Sequence, residues 1–280
     1  MAVSISNAFV TLFDSEVKQA YQGQRLLAGV TRERAGVEGS TVKFPKIGKG
    51  SATIRVPQTD VTPLNVSYSQ VTATMHDYIA AEYSDIFNQQ KVNFNERQEL
   101  VQVVSGAIAR RMDQIVLDAL DASSTSLTVA NSIGGSTTNL NIEKLREAKK
   151  LLDGKNVPME GRSILIHANS LSALLGETEV TSADFNTVRA LVTGDINTFM
   201  GFRFITFGDR DEGGLPIDGS DDRTLYAFHR DALGLGIGMN QTSRVDYIAE
   251  KTSFLVASMF SAGAVAIDDE GIVKITCREA

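Results

Sequence analysis

The stretch FPKIGKGSATIRVPQTDVTP, residues 44–63, limits what this chain can fold into, because little of it can be buried in the chain's own core. It holds three of the five prolines, and a proline donates no hydrogen bond to a neighbouring strand. Lys46, Lys49 and Arg55 stand against a single acid in it. SATIRV has the composition of a strand, but few of its side chains suit a core. We therefore predict an extended hairpin over residues 51–80 that makes most of its contacts with another chain.

Length and composition indicate an ordinary globular protein. The 280 residues are 42% hydrophobic and 22% charged, which is enough for one or two domains with a core. No apolar run is long enough for a membrane span, and the N-terminus lacks the pattern of a secretory signal. The single cysteine, Cys277, allows no intramolecular disulfide and fits a reducing compartment.

Charge is unevenly distributed along the chain. The net charge of -7 argues against strong binding of nucleic acid, which requires a basic surface. Residues 1–60 carry eight basic and five acidic residues, a balance of +3, whereas residues 205–271 carry five basic and twelve acidic residues, a balance of -7. Either these regions attract each other between copies of the chain, or both are solvated surfaces without a partner. Charge alone favours the solvated surfaces.

Helical periodicity is strongest in the first half of the chain. Asn7 precedes an apolar pattern that predicts a helix over roughly residues 8–21. The segment NERQELVQVVSGAIARRMDQIVLDALD predicts one continuous helix over residues 96–120, with Asn93 or Asn95 as its cap and acids in its first turn. At about 1.5 Å per residue, a helix of about 26 residues is about 39 Å long.

The second half alternates short elements. Asn141 caps a predicted helix that ends at Gly154, Asn169 opens a second helix, and residues 184–193 form a third. RSILIHA, FRFITF and TLYAFHR predict strands, and the last two flank an acidic loop at residues 208–222. The segment SRVDYIAEKTSFLVASMFSAGAVAIDDEGIVKITC also predicts strands. The pattern is that of an α+β chain whose long helix lies apart from its sheets.

Two patterns resemble ligand sites but lack parts that such sites require. GLGIG, residues 234–238, is a fragment of a dinucleotide-binding turn, but no helix pattern follows it to receive a pyrophosphate. We interpret it as a turn where chains approach closely. His76, His167 and His229 lie far apart in strand patterns, without the spacing of a zinc site. His167 is predicted to be a hydrogen-bonded core residue, and no GxSxG turn supports a serine hydrolase.

The acidic loop, defined as residues 208–222, is the third candidate. It begins like a calcium-binding loop, with Asp209 and Asp211 two residues apart, but Gly213 and Ser220 occupy positions that require ligands. We interpret it as a solvated loop, with a cation shared between loops of neighbouring subunits as the weaker alternative. Its acids are Asp209, Asp211, Glu212, Asp218, Asp221 and Asp222. None of these patterns predicts catalysis, a cofactor or a metal.

Three segments resemble the major capsid proteins of tailed bacteriophages, most of all those of short-tailed phages. FVTLFDSEVKQAYQ followed by STVKFPKIGKGSATI is similar to their N-terminal arm and extended E-loop. NERQELVQVVSGAIARRMDQIVLDAL is similar to their spine helix. MGFRFITFGD, the acidic loop and TLYAFHRDALGLGIG are similar to the strands and loop of their axial domain. The resemblance implies the Hong Kong 97-like fold.

The same resemblance implies five regions along the chain. They are an N-terminal arm over residues 1–43, the E-loop hairpin with the following strand over 44–83, a peripheral domain with the spine helix over 84–135, an axial domain with the acidic loop over 136–230, and a return to the peripheral domain over 231–280. In this family the hairpin lies across a neighbouring subunit, and the axial loop lies near the local five- and six-fold axes. A hairpin that is too polar to bury itself but too patterned to be a linker fits that arrangement.

The implied function is structural. Copies of such a protein form an icosahedral shell of pentamers and hexamers around packaged double-stranded DNA, which is held without sequence-specific binding. The implied partners are other copies, a separate scaffolding protein and a portal protein. The implied location is the virion, assembled in the cytoplasm of the host bacterium, and no cofactor, membrane or enzymatic activity is implied. Two alternatives remain: an encapsulin-like shell around cargo enzymes, and a nucleotide-dependent enzyme built on GLGIG.

The resemblance also implies which side chains lie between subunits. Lys46, Lys49 and Arg55 of the hairpin are expected to meet acids of a neighbour. Acids repeated around an axis repel one another, so some are expected to pair with Arg210 or Arg223 of an adjacent copy, or to face solvent. The expected contact residues in the loop and directly after it are Asp209, Arg210, Asp211, Glu212 and Arg223.

Overall fold

The computed structural model describes residues 24–61, 63–90, 95–177 and 198–279. The predicted helices over residues 8–21 and 184–193, and the candidate cap Asn93, lie outside these residues. In the described part of the chain, no helix combines the length and the apolarity needed to cross a membrane.

The described residues contain four α-helices and thirteen strands. The helices are α1 (Ile86–Gln89), α2 (Glu96–Asp121), α3 (Ile142–Gly154) and α4 (Ala168–Leu175). The strands are β1 (Arg32–Ala35), β2 (Thr41–Ile47), β3 (Tyr68–Thr74), β4 (His76–Asp85), β5 (Thr128–Val129), β6 (Arg162–His167), β7 (Thr198–Phe199), β8 (Phe202–Phe207), β9 (Asp222–His229), β10 (Leu233–Ile237), β11 (Thr242–Ile248), β12 (Ser253–Ala266) and β13 (Ile272–Arg278). This mixture confirms the predicted α+β class.

Helix α2 runs without a break, as its apolar pattern predicts. Asn95 occupies the N-cap position, and Ser84 at the end of β4 donates a hydrogen bond of 2.7 Å to Glu96 in the first turn. One stripe of the helix packs against β12 and β4, and it includes Val104, Ile108, Met112 and Val116. The prediction that the helix lies apart from the sheets is wrong, because an apolar stripe is stable only where another element covers it.

Strand β12 is the centre of the first sheet. It is 14 residues long, which lets it pair with β4 along one edge and with both β10 and β11 along the other, all antiparallel. Strand β1 then pairs in parallel with β10. Tyr78 of β4 lies opposite Phe260 of β12, and their rings stack with centroids 5.1 Å apart. Arg111 of α2 lies over the Tyr78 ring, which identifies this face as the one that the helix covers.

The second sheet has six strands in the order β5-β13-β9-β6-β8-β7. The predicted strands RSILIHA, FRFITF and TLYAFHR are confirmed as β6, β8 and β9, and the predicted C-terminal strands as β11 to β13. Strand β6 is buried along its whole length, which explains its apolar run without alternation. Helix α3 packs against β13 and β5 through Leu145, Ala148 and Leu152, which are fully buried.

Helices α3 and α4 differ in how well their caps follow the sequence pattern. Asn141 accepts a hydrogen bond of 2.8 Å from the backbone N of Lys144, so the predicted cap of α3 is confirmed, as is its end at Gly154. The cap of α4 is His167 and not Asn169. The Nδ1 atom of His167 accepts a hydrogen bond of 3.3 Å from the backbone N of Asn169. A buried residue at the end of β6 thus supplies the acceptor that the first turn of α4 requires.

The hairpin differs from its prediction in register. Its paired strands are β2 and β3, so the pairing lies outside the SATIRV segment, which forms no strand because no described segment pairs with it. Pairing of the two arms ends where the backbone N of Gly48 donates to the carbonyl O of Ser67 at 2.8 Å. Strand β4, predicted as part of the hairpin, belongs to the first sheet. We call residues 41–47 and 68–74 the hairpin root, and residues 48–67 the hairpin tip.

Glycines let the hairpin root lie directly on the first sheet. All of GLGIG except Gly238 lies in the buried strand β10, so its interpretation as a turn is wrong, whereas the close approach of chains is confirmed. Strand β11 follows it, so the helix that a dinucleotide-binding turn requires is absent here. A Cβ at Gly234 of β10 would lie 2.7 Å from Cε2 of Phe44. A Cβ at Gly263 of β12 would lie 2.1 Å from the carbonyl O of Thr74. The small core at this contact consists of Val42, Phe44, Ala73 and Ile267.

Replacing Gly234 by alanine is expected to destabilise the protein by about 1–3 kcal/mol, because the added methyl group must displace the Phe44 ring. Urea unfolding followed by circular dichroism measures this change. Gly154→Ala is the matched control, since a Cβ at the end of α3 meets no atom within 4 Å. Equal unfolding midpoints for the two variants would contradict the close packing of the root.

Candidate inter-subunit surface

The hairpin tip carries apolar side chains that no described part of the subunit covers. Ile54 is 95% exposed and Val61 is 88% exposed. The neighbouring exposed apolar side chains are Ile47, Val56, Leu64 and Tyr68. Single exposed apolar side chains are common on soluble proteins, but a series of them on one projecting segment is typical of a surface that binds a partner.

The first sheet presents a second apolar surface on the face opposite α2. Successive residues of a strand point to opposite faces, so Ile79 and Tyr83 point away from Tyr78 and the helix. Ile79 is 67% exposed and Tyr83 is 42% exposed. Their cross-strand partners on β12 are Met259 and Leu255, which are half-buried. We call Ile79, Tyr83, Met259 and Leu255 the open sheet face.

Two lysines bind acids of the same subunit where the hairpin root passes into the tip. The Nζ atom of Lys46 lies 2.8 Å from Oδ1 of Asp268, and Lys49 is hydrogen-bonded to Glu270. The bond to Glu270 raises the pKa of Lys49, and the same bond lowers the pKa of Glu270. Lys155, in the loop after α3, lies 3.5 Å from the other carboxylate oxygen of Glu270. Both acids belong to the turn between β12 and β13.

These contacts change the expectation for the basic side chains of the hairpin. The sequence predicts that they meet acids of a neighbour, but Lys46 and Lys49 have acid partners in their own chain. Lys49 and Glu270 are 221 positions apart in the sequence, so no local sequence pattern could predict this pairing. Arg55 is exposed and makes no ion pair with any described residue, so its contact with a neighbour stays a prediction.

Arg210 of the acidic loop points into its own subunit. Its Nη1 atom lies 2.9 Å from Oδ2 of Asp113 on α2, and the side chains of Arg210 and Asp113 are 5% and 0% exposed. Asp113 also accepts hydrogen bonds from the backbone N atoms of Leu26 and Leu27, at 2.8 and 3.0 Å. The pair therefore ties the loop, and the segment before β1, to α2. The pairing of Arg210 with an adjacent copy stays a prediction, although its charge already has a partner inside the subunit.

Arg223 is internal as well. Its Nε atom lies 2.9 Å from Oε2 of Glu279, and its Nη2 atom lies 3.3 Å from Oδ1 of Asp209. The buried His167 belongs to the same cluster, with its Nε2 atom 3.4 Å from Asp209, so its prediction as a hydrogen-bonded core residue is confirmed. A buried guanidinium needs an anion beside it, and Glu279 and Asp209 supply one within the subunit. The pairing of Arg223 with an adjacent copy stays a prediction.

Most acids of the acidic loop are hydrogen-bonded within the subunit. Glu212 accepts a hydrogen bond of 2.8 Å from Arg110, and Asp222 accepts one of 2.7 Å from Arg278. The bond from Arg278 lowers the pKa of Asp222, although burial acts in the opposite direction. The solvated-loop interpretation is wrong for these acids, whereas Asp211 is exposed. In the described part of the chain, no group of three or more acids, histidines or cysteines is placed to hold a metal ion.

A buried lysine beside the only cysteine has no counterpart in the sequence predictions. The side chain of Lys144 is fully buried, and its Nζ atom donates hydrogen bonds to the carbonyl O atoms of Thr138 and Thr276, at 2.6 and 2.9 Å. Burial lowers the pKa of Lys144 and raises the pKa of the Cys277 thiol to about 12. The sequence does contain a sign of this burial. Lys144 precedes Ala148 by four residues, and this spacing places both on the buried stripe of α3.

Comparison with protein families gives one match that spans almost all of the 280 residues. The profile of the family described as "Phage capsid protein" matches residues 5–279. Among curated proteins, no relative matches the chain.

Solved structures from bacteriophages are similar over nearly the whole chain. The capsid of the cyanophage P-SCSP1u has a TM-score of 0.77 at 14% identity, with 100% of this chain and 96% of that chain covered. The head of the Helicobacter pylori bacteriophage KHP40 has a TM-score of 0.77 at 10% identity, with 99% and 98% covered. A structure from Mycobacterium phage Che8 has a TM-score of 0.73 at 17% identity, with 95% and 96% covered. These similarities concern the fold, and they confirm the Hong Kong 97-like fold that the sequence predicts.

Replacing Asp113 by alanine is expected to destabilise the protein by about 3–5 kcal/mol, because it leaves the buried guanidinium of Arg210 and two backbone N–H groups without their acceptor. Urea unfolding measures the loss. Gln98→Ala, at an exposed position of the same helix whose side chain makes no hydrogen bond with the described residues, is the control and should change stability by less than about 0.5 kcal/mol. A loss at Asp113 as small as that of the control would show that the pair does not tie the loop to α2.

Replacing Asp222 by asparagine is expected to flatten the pH dependence of stability in acid. A carboxylate whose pKa is lowered on folding stabilises the protein above its unfolded pKa, and this contribution is lost as the pH falls through the lowered value. The stability gap between the natural chain and Asp222→Asn should therefore shrink between about pH 5 and about pH 2. Urea midpoints across that range measure the gap. A gap that stays constant across that range would refute the assignment.

Proposed function

Because the chain belongs to the phage capsid protein family, we propose that it builds its shell through the hairpin tip. The protein is a major capsid protein that forms the icosahedral shell of a virion. Each tip lies across a neighbouring subunit, which buries the apolar side chains that its own subunit leaves exposed. The observation that carries this proposal is the exposure of Ile54 and Val61 on a segment that no described part of the chain covers.

The open sheet face is the surface of the neighbour that suits the tip. It is apolar, and the sheet that bears it is backed by α2, so it does not need to rearrange to receive a partner. Full burial of an isoleucine or valine side chain contributes about 1.5–3 kcal/mol. Ile54 and Val61 thus supply a contact of useful strength from each copy, and Ile79 and Tyr83 are the side chains that they meet.

Charge has a smaller part in this contact. Arg55 lies between the apolar residues of the tip and meets an acid of the neighbour. One exposed ion pair contributes only about 0.2–1 kcal/mol, so Arg55 influences the register and the rate of assembly more than its final strength. Salt at about 1 M shortens the Debye length from about 8 Å to about 3 Å, and it should therefore slow assembly.

The wider organisation of the shell follows the family pattern. Pentamers and hexamers enclose double-stranded DNA, with a separate scaffolding protein during assembly and a portal protein in the shell. A net charge of -7 supports a wall that does not hold DNA tightly. The first sheet with α2 supports a peripheral domain, and the second sheet with the acidic loop supports an axial domain whose loop lies near the local axes. The family match favours a phage shell over an encapsulin-like shell around enzymes.

Replacing residues 51–64 by a short Gly-Ser turn is expected to leave a folded subunit that forms no closed shell. None of the described residues in this segment belongs to the buried core, so the unfolding midpoint should equal that of the full chain. Size-exclusion chromatography and electron microscopy compare the particles that the two chains form, and circular dichroism checks that both are folded. Closed shells from the shortened chain would rule out the tip as the joining contact.

A further inference from the structure

We propose that the acidic turn Asp268–Gly271 sets the direction in which the hairpin tip leaves the subunit. Asp268 and Glu270 are then positioning residues for assembly, and they act through the lysines of the hairpin. This inference rests on the proposed role of the tip in joining copies of the chain. It assigns to the turn a task that neither its sequence nor its place between β12 and β13 indicates.

The direction of the tip depends on contacts at one place, the elbow where the root ends. Backbone pairing of the two arms stops at Gly48 and Ser67, and the described residues between these two form no strand. Lys46 precedes this point and binds Asp268, while Lys49 follows it and binds Glu270. The two ion pairs therefore bracket the elbow from its two sides.

The turn that receives these lysines is held firmly to the core. The backbone N of Ile267 donates a hydrogen bond of 2.7 Å to the carbonyl O of Ala232. Oδ1 of Asp268 accepts one of 3.1 Å from the backbone N of Glu270, which fixes the side chain that also binds Lys46. A Cβ at Gly271 would lie 2.7 Å from Cβ of Ala232, so the turn lies close against that residue. A turn held in this way can hold the elbow in place.

A third lysine extends the contact to the second sheet. Lys155 lies 3.5 Å from Glu270 and belongs to the loop after α3, which packs against β13 and β5. Glu270 thus lies between the hairpin and the part of the subunit that carries the acidic loop. The carboxylate couples the direction of the tip to the second sheet as well as to the first.

Small changes at the elbow are enlarged at the end of the tip. About nine extended residues at about 3.3 Å each give an arm of about 30 Å. A tilt of about 10° at the elbow moves the end of such an arm by about 5 Å, which is the spacing of neighbouring strands in a sheet. Side chains such as Ile54 would then meet the wrong part of a neighbour.

Pulsed electron–electron distance measurements test this inference in the full-length chain before it assembles. Nitroxide labels at Asp60→Cys in the tip and Glu143→Cys on α3 report the direction of the arm, and the natural Cys277 is buried. Lys49→Glu is expected to broaden the distance distribution or to shift its peak by about 5 Å. Adding Glu270→Lys together with Lys155→Glu to that variant is expected to restore the distribution, because it rebuilds both ion pairs of residue 270 with reversed charges.

Lys43→Glu is the matched control, since Lys43 is an exposed lysine of the same hairpin whose side chain makes no ion pair with the described residues. An unchanged distribution in Lys49→Glu would overturn the inference. An equal change in Lys43→Glu would also overturn it, because the effect would then reflect net charge alone. These distances are measured on unassembled subunits, so they remain informative even if the shortened chain described above still forms shells.

Discussion

The structure of this subunit depends on the close packing of the hairpin root against glycines of the first sheet, above all of the Phe44 ring against Gly234. The hairpin tip can project from the subunit only if the hairpin root is fixed to the first sheet. The root has only a few buried apolar side chains with which to make that contact. Gly234 and Gly263 remove the volume that would separate the hairpin root from the first sheet. Phe44 can therefore reach the β10 backbone, and a core of few residues becomes sufficient. The length of β12 completes the arrangement, because one strand supports β4, β10 and β11 together.

Elements with strong periodicity could be predicted from the sequence, whereas the hairpin register could not. The stripe of α2 and the apolar run of β6 report burial directly, and both were located within a few residues. SATIRV has strand composition but finds no partner, and the strand that does pair contains Pro45. Proline is tolerated there because β2 has a partner along one edge only. Propensity describes a residue, but pairing is a property of two segments.

The candidate site shows the same limit for charge. The basic front and the acidic rear of the chain are complementary, and the sequence offers solvation or attraction between copies as explanations. Part of the complementarity is satisfied inside one subunit, where Lys46 and Lys49 meet Asp268 and Glu270. Arg210 likewise finds Asp113, which lies 97 residues away along the chain. Counting charges cannot distinguish ion pairs within one subunit from attraction between copies, because the fold determines which charged side chains lie close together. The exposed apolar residues Ile54 and Val61 do lie on the segment whose composition predicted little burial within one chain.

The burial of Cys277 has a consequence for the particle outside its host. A thiol reacts as its thiolate, and this one is both inaccessible and almost entirely protonated at neutral pH, since its pKa is raised to about 12. It is also the only cysteine in the chain. A shell built from many copies therefore offers dissolved oxygen and peroxides no sulfur that they can link between subunits. Its cohesion should be the same in the reducing interior of a cell and in aerated water, which suits an object that must pass from one to the other.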